Sequence, residues 1–464
     1  MDTISEIDIT KHPKAKYLAL ADAIVTAITN GTLAPGDQLP TVREFAHKVG
    51  VTPGTVARAY RRLTESGRLE ARVGSGTFVS TTTNDKPLAG MPAVVIPRDP
   101  EVLDLRSPTL PDVGQPALIK KAMLAAADDA GDSLFNYPNR TSDEAARIAV
   151  ANMLNAFPVG TVDPHHVVLT YGGQHAIGLI LQTVLVGQRP VIMTEDLSYS
   201  GLRHAARLQR AEVLSIELDA EGPIPASIDA LCRRHPVQIL ATTAEAHNPT
   251  TIRTSPERRA QIVELARRYD FQIIEDECYA LLPGDDASYR ALAPERTWYV
   301  SSISKSFCPS LRFGYFIAPE ANADFAIITA RHNIFGVSQM ILDVAARVLQ
   351  SSENLTIRKS VFDLVTKRTQ ILADALAGQD LHWRPGLPFT FLQLPAGWRA
   401  SGFVRAAEDV GILVRPADEY VLLGGRAPNA VRIAINAKVS QEMFEGACHK
   451  LAKMLREPPH SFDV

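Results

Sequence analysis

The stretch SSISKSFCPSLRFGY, Ser301 to Tyr315, sets Lys305 among serines where the apolar run TWYVSSIS ends, and Arg312 follows shortly after. An amine flanked by hydroxyls and a guanidinium is either a surface lysine or a nucleophile facing a phosphate. Other apolar runs end on equally specific groups. HVVLTY is followed by Gly172, Gly173 and Gln174, and PVIMTE by a segment reaching Tyr199. VQILATTA leads to Asn248-Pro249, and FQIIEDE carries Asp276 and leads to Tyr279. Taken singly, each has a plain reading: a turn, a helix cap, a surface charge. Glycines opening a helix also present N–H groups to an anion.

The runs are short, and helical patterns such as SPERRAQIVELARRYD separate them. That alternation predicts a mostly parallel sheet with helices on both faces, whose ligands sit at the strand C-termini. The groups gathered there are those that pyridoxal phosphate (PLP) requires. It needs an amine for a Schiff base, an acid beside the ring nitrogen, donors to its phenolate oxygen, a stacking partner and an anion cradle.

From about Val102 onward the chain resembles the aspartate-aminotransferase superfamily, the fold-type I PLP enzymes. The resemblance implies an α/β body with a smaller C-terminal α+β subdomain. It implies Lys305 as the Schiff-base lysine, Asp276 on the pyridine nitrogen, and Asn248 and Tyr279 on the phenolate oxygen. Tyr199 would stack on the ring, while Gly173, Gln174, Ser302 and Arg312 would hold the phosphate. Arg432, in VRIAIN, would bind an α-carboxylate, and Tyr137 would reach the phosphate in a partner subunit. Around Tyr137 the chain reads NYPNRTSDEAAR, with Arg140 and Ser142 where the family commonly has Pro and Gly.

The N-terminal segment has a different pattern. Leu18, Ala21, Ile24, Val25 and Ile28 have helical spacing. Thr41 and Glu44 are spaced as a capping box, and Gly50 ends that short helix. Thr52 then caps a second helix with Pro53 at its first position and Val56, Ala59, Tyr60 and Leu63 as its apolar stripe. LEARVGSGTFVS reads as a hairpin tipped by Gly74 and Gly76. Between Pro40 and Ser80 seven basic residues face three acidic ones, an excess suited to a phosphate backbone. This module resembles the winged helix-turn-helix of GntR-type repressors. The resemblance implies DNA contacts from Arg43, from Thr52, Thr55 and Arg58 of the recognition helix, and from Arg72, Gly74 and Gly76 of the wing. Pro53-Gly54 stands where many relatives carry a polar or basic residue.

Residues 81–100 are rich in Thr, Pro and small residues and read as a linker, which divides the chain into 1–80, 81–100 and 101–464. The net charge of −3 gives no whole-chain case for nucleic acid, so the basic excess of the head must carry it. Four scattered cysteines form no CxxC pair, which indicates neither a metal site nor a disulfide framework and fits a reducing cytoplasm. No signal peptide or membrane-spanning run is legible. A GntR-like head on an aminotransferase-like body resembles the MocR family of regulators. That resemblance implies a head-to-tail homodimer that binds operator DNA and captures an amino acid or amine effector as an external aldimine. Two other readings stand beside it: a working aminotransferase with an accessory DNA-binding domain, and a DNA-binding protein whose body is a relic.

Overall fold

The computed structural model describes residues 16–29, 32–34, 36–65, 68–72, 76–79, 102–131, 135–422 and 425–457. It divides into two compact units, Met1–Val95 and Ile96–Val464. The expected linker, 81–100, and the wing glycine Gly74 lie outside the described residues.

The first unit comprises α1 (Lys16–Thr29), β1 (Gln38–Leu39), α2 (Val42–Val49), α3 (Pro53–Glu65), β2 (Leu69–Arg72) and β3 (Gly76–Val79). The capping box forms as spaced: the Glu44 amide donates to Thr41 Oγ1 (3.3 Å) and the Thr41 amide to Glu44 Oε2 (3.0 Å). Gly50 closes α2 at φ +68°, a left-handed conformation that favours glycine. Val56, Ala59, Tyr60 and Leu63 are all buried, against Leu20, Ile24 and Phe45. On α1 the buried face includes Ala19 and Leu20, which the periodicity did not single out, while Leu18 is only half-buried. β2 and β3 form the expected hairpin, and β1 adds a short third strand to its far edge.

In the second unit, β4 (Leu103–Asp104), α4 (Gln115–Asp128) and α5 (Glu144–Leu154) lead into β5 (Val167–Thr170) and α6 (Gly173–Val184). β6 (Val191–Glu195), α7 (Ser200–Leu208) and β7 (Glu212–Ile216) follow. A small hairpin, β8 (Leu218–Asp219) and β9 (Gly222–Pro223), precedes α8 (Pro225–Cys232) and β10 (Val237–Thr242). Next come α9 (Pro256–Tyr269), β11 (Gln272–Asp276), the one-turn α10 (Tyr289–Leu292), β12 (Thr297–Ser302) and β13 (Gly314–Ile317). The central sheet has the order β5-β13-β12-β11-β10-β6-β7. All neighbours are parallel except β13, which is antiparallel to both β12 and β5. Strands buried on both faces explain the near-continuous apolar runs. The polarity of β13 has a direct consequence: it starts at the edge where β12 ends. The chain therefore leaves β12, passes Lys305, and returns Arg312 to that same edge.

Helices α11 (Ala323–Ile334), α12 (Gln339–Gln350) and α13 (Glu353–Ala375) lead to the subdomain. There β14 (Leu381–His382), β15 (Phe389–Gln393), α14 (Ala400–Asp409), β16 (Ile412–Leu413), β17 (Arg415–Pro416), β18 (Ala430–Ala434) and α15 (Gln441–Arg456) complete the fold. Its sheet runs β14-β15-β18-β17, and β16 pairs in parallel with β4. Among the described residues no helix is long and apolar enough to cross a membrane.

Candidate cofactor site and nucleic-acid interface

The strand ends converge as the parallel topology requires. Gly173 opens α6 so close to β11's exit that a Cβ there would lie 2.5 Å from Cys278 Sγ, so glycine is required by approach rather than by conformation. Cys278 links the floor of the site: its amide donates to Asp276 Oδ1 (3.1 Å), and its Sγ lies 3.8 Å from Ser302 Oγ. Burial pushes the Asp276 carboxyl up, and the hydrogen bonds from Cys278 offset this only in part. Lys305 sits just beyond, its Nζ 5.8 Å from the centre of the Tyr279 ring, with no carboxylate in ion-pair reach among the described residues. Burial raises the Tyr199 phenol, and the groups acting electrostatically on it are Tyr279, Asp276, Cys278 and Arg312.

Arg312 adopts φ +52° and donates from Nη2 to the Tyr171 carbonyl (2.9 Å), its guanidinium lying against Gly172. Gln174 turns toward α7 and donates to the Gly201 carbonyl (3.0 Å). Asn248 is carried by the segment after β10; its peptide bond to Pro249 is cis, and its buried Oδ1 has no partner among the described residues. Tyr137 stands apart. It is 76% exposed and stacks on Phe335, itself 68% exposed, at 5.4 Å.

Arg432 is brought in from β18 and is 3% exposed. Its Nη1 donates to the Arg106 carbonyl and the Tyr420 hydroxyl (both 3.3 Å), and its Nη2 to the Tyr279 hydroxyl (3.4 Å). Phe389 lies flat under the guanidinium at 4.2 Å and meets Tyr279 edge-on at 4.9 Å. The neighbouring arginines are neutralised, Arg106 by Asp104 and Arg415 by Glu419. Arg432 has no such acid among the described residues, and its Nε is unpaired. A guanidinium buried without an acid is primed for an anionic guest.

Phe389, Tyr420 and Cys278 were not singled out from the sequence; nothing in their spacing marks them. Nor were the acids flanking Asp276. Glu275 accepts from the Tyr289 and Arg290 amides (2.9 Å each), and burial pushes it up to about 7. Glu277 Oε1 accepts from the Ala244 and Glu245 amides (2.6 and 3.0 Å), while its buried Oε2 has no partner. Burial and the nearby carboxylates of Glu275 and Glu245 raise Glu277 well above the usual range. An acid raised in the folded state contributes stability at low pH that is lost as pH rises toward its folded pKa. Glu277→Gln keeps the accepting oxygen and removes the buried charge. It is expected to stabilise the body by on the order of 1–3 kcal/mol above neutrality and by little at pH 5, measured by thermal unfolding across pH.

In the head, Arg43, Thr52 and Arg58 are exposed and Thr55 is half-buried. Thr52 Oγ1 receives the Thr55 amide (3.3 Å) and lies 2.9 Å from the Thr55 hydroxyl, so Thr52 serves as the helix cap. Arg72 falls in β2, with its side chain outside the described residues, and Gly76 opens β3 at φ +111°. The Arg58 guanidinium lies 4.1 Å above the Tyr17 ring, which orients it without neutralising its charge. Tyr17→Leu is expected to weaken binding to duplex DNA about 2–5-fold at low salt, with Tyr17→Phe near wild type, measured by anisotropy titration.

These two units match two families. Residues 100–451 match Aminotransferase class I and II, and residues 16–79 match the bacterial regulatory proteins of the gntR family. The chain thus belongs to the aminotransferase class I and II family and carries a GntR head, the arrangement of MocR-type regulators. It is 27% identical to the uncharacterized HTH-type transcriptional regulator YdeF of Bacillus subtilis over 454 residues, covering 96% of each chain. It is 25% identical over 334 residues, 66% of each chain, to a regulatory protein MocR of Rhizobium meliloti. Among solved structures, an archaeal alanine:glyoxylate aminotransferase shares the fold with a TM-score of 0.69 at 21% identity, covering 77% of this chain and 91% of that one. The fold is that of PLP-dependent enzymes, and the groups present fit the cofactor. Asp276 is a half-buried acid with no cation in ion-pair reach among the described residues, Gly172 and Gly173 leave no room for a Cβ, and the buried Ser304 Oγ has no partner among the described residues.

Proposed function

We propose that this chain is a cytoplasmic transcriptional regulator that binds operator DNA through residues 1–80 and senses a carboxylate-bearing primary amine in the body, 101–464, across a linker at 81–100. The observation that carries the reading is Arg432, a buried cation without an acid among the described residues, bonded to Tyr279, whose ring Lys305 faces, in a chain with a GntR head. When bound at Lys305, PLP supplies an aldehyde that condenses reversibly with a primary amine. Asp276 would hold the ring nitrogen as a charged N–H, and Asn248 and Tyr279 would donate to the phenolate oxygen. Tyr199 would cover the ring face, while Gly173, Gln174, Ser302 and Arg312 would fix the phosphate. Arg432 would fork onto the effector's carboxylate, drawing β18 toward the strand ends. An effector changes DNA affinity only through its different affinity for two conformations, and this contact between subdomain and sheet edge is one that a guest alters.

Arg43, Thr52, Thr55, Arg58, Arg72, Gly74 and Gly76 would form the DNA face. The exposed Tyr137–Phe335 pair supports a homodimer, head-to-tail, in which Tyr137 serves the partner's phosphate. The test is a titration of the PLP-loaded full chain with a panel of amino acids and amines, following the visible spectrum and DNA affinity together. A stable spectral change, altered DNA affinity and no released keto acid support a sensor. Release of keto acid that continues only while a second keto acid is supplied as amino acceptor would instead make the body a working aminotransferase.

A further inference from the structure

A small, mostly enclosed cavity lies against the loop that carries Lys305 without including that residue. Ser306 lines it from the loop, Tyr299, Ser302 and Tyr315 from β12 and β13, and Asn354 and Arg358 from α13. Arg358 is 6% exposed. One Nη2 donates to the Leu281 carbonyl, the Phe157 ring lies 5.1 Å from the guanidinium carbon, and Nε has no partner. The titratable groups acting on it are the two phenols, and no carboxylate is among them. Both phenols are themselves buried and raised, Tyr315 to about 12, so they are neutral and supply no countercharge.

A buried guanidinium without an acid is destabilising by several kcal/mol unless something compensates the charge. A carbonyl and a ring face orient it but do not neutralise it. The cavity has room for about one water-sized particle, too little for a phosphate ester or an organic acid. A water there would leave the charge; a small anion would compensate it, with the Ser306 and phenol hydroxyls donating to it.

We propose that this cavity binds one monoatomic anion, chloride in the cell, on Arg358. The site is separate from the Arg432 and Arg312 guanidinia, and the assignment does not depend on the cofactor or effector reading. Ser302 and Ser306 bracket Lys305, so the anion buttresses the loop from which the lysine projects.

Two measurements on the full chain test this. Thermal unfolding is followed as sodium chloride replaces sodium gluconate at constant ionic strength. The wild-type midpoint is expected to rise saturably by about 2–4 °C, with the rise lost in Arg358→Met and retained in Arg358→Lys. Crystals of the wild type soaked in sodium bromide are expected to show an anomalous peak in this cavity within hydrogen-bond distance of the Arg358 guanidinium. A chloride dependence that persists in Arg358→Met overturns the proposal, as does a bromide map with no peak at Arg358. Should Arg358→Met fail to fold, the bromide map on the wild type decides alone.

Discussion

Lys305→Ala is expected to abolish the visible absorbance of protein purified with PLP, and dialysis is expected to strip the cofactor completely. The reason lies in the surroundings of the amine. Lys305 projects from the end of β12, faces the Tyr279 ring and has no carboxylate in ion-pair reach among the described residues, so its amine is not committed to a structural pair. Removing it leaves Asp276, Ser302 and Arg312 to hold the cofactor non-covalently. Borohydride reduction followed by peptide mass spectrometry checks the assignment. The wild type should carry the added group on the peptide containing Lys305, and the variant should carry none. A labelled peptide elsewhere, or an unchanged spectrum in Lys305→Ala, would remove Lys305 from the site.

Arg432→Met is expected to split stability from recognition. Two charge-assisted hydrogen bonds to a carboxylate contribute about 3–6 kcal/mol, so loss of the fork should weaken an amino-acid effector by about 10²–10⁴-fold. The corresponding amine without the carboxylate should bind the variant as well as it binds the wild type. Stability should hold or rise, because the variant deletes a buried charge that lacks an acid and retains a side chain to pack on Phe389. The spectral titration reads the first effect and thermal unfolding the second. Equal losses for the acid and the amine would mean that Arg432 only supports the pocket wall.

The first prediction was legible in the sequence and the second only in part. Lys305, Asp276, Asn248 and Tyr279 follow apolar runs, and in an alternating α/β pattern the ends of parallel strands must share an edge. Their convergence follows from local pattern plus one topological rule. The head was legible for a similar reason: its capping box and its strand pair are short-range signals, and Thr41–Glu44 and β2–β3 both form. Arg432 was placed by resemblance. That it is buried depends on packing against residues remote in the chain, Arg106 and Tyr279 among them, while Asp104 and Glu419 pair locally with Arg106 and Arg415 instead.

Residue type and spacing by themselves determined which groups end each strand, because periodicity, caps and turns act over a few residues. Only the tertiary structure decided what those groups face. The antiparallel β13, absent from the run of parallel strands read in the sequence, returns Arg312 to the edge that Lys305 leaves. Gly173 is needed because Cys278 approaches it from another strand. Arg358 carried no sequence signal at all: on α13 it reads as an ordinary helical arginine. Whether a charge is neutralised is a property of what packs around it, and that is fixed by contacts remote in the chain.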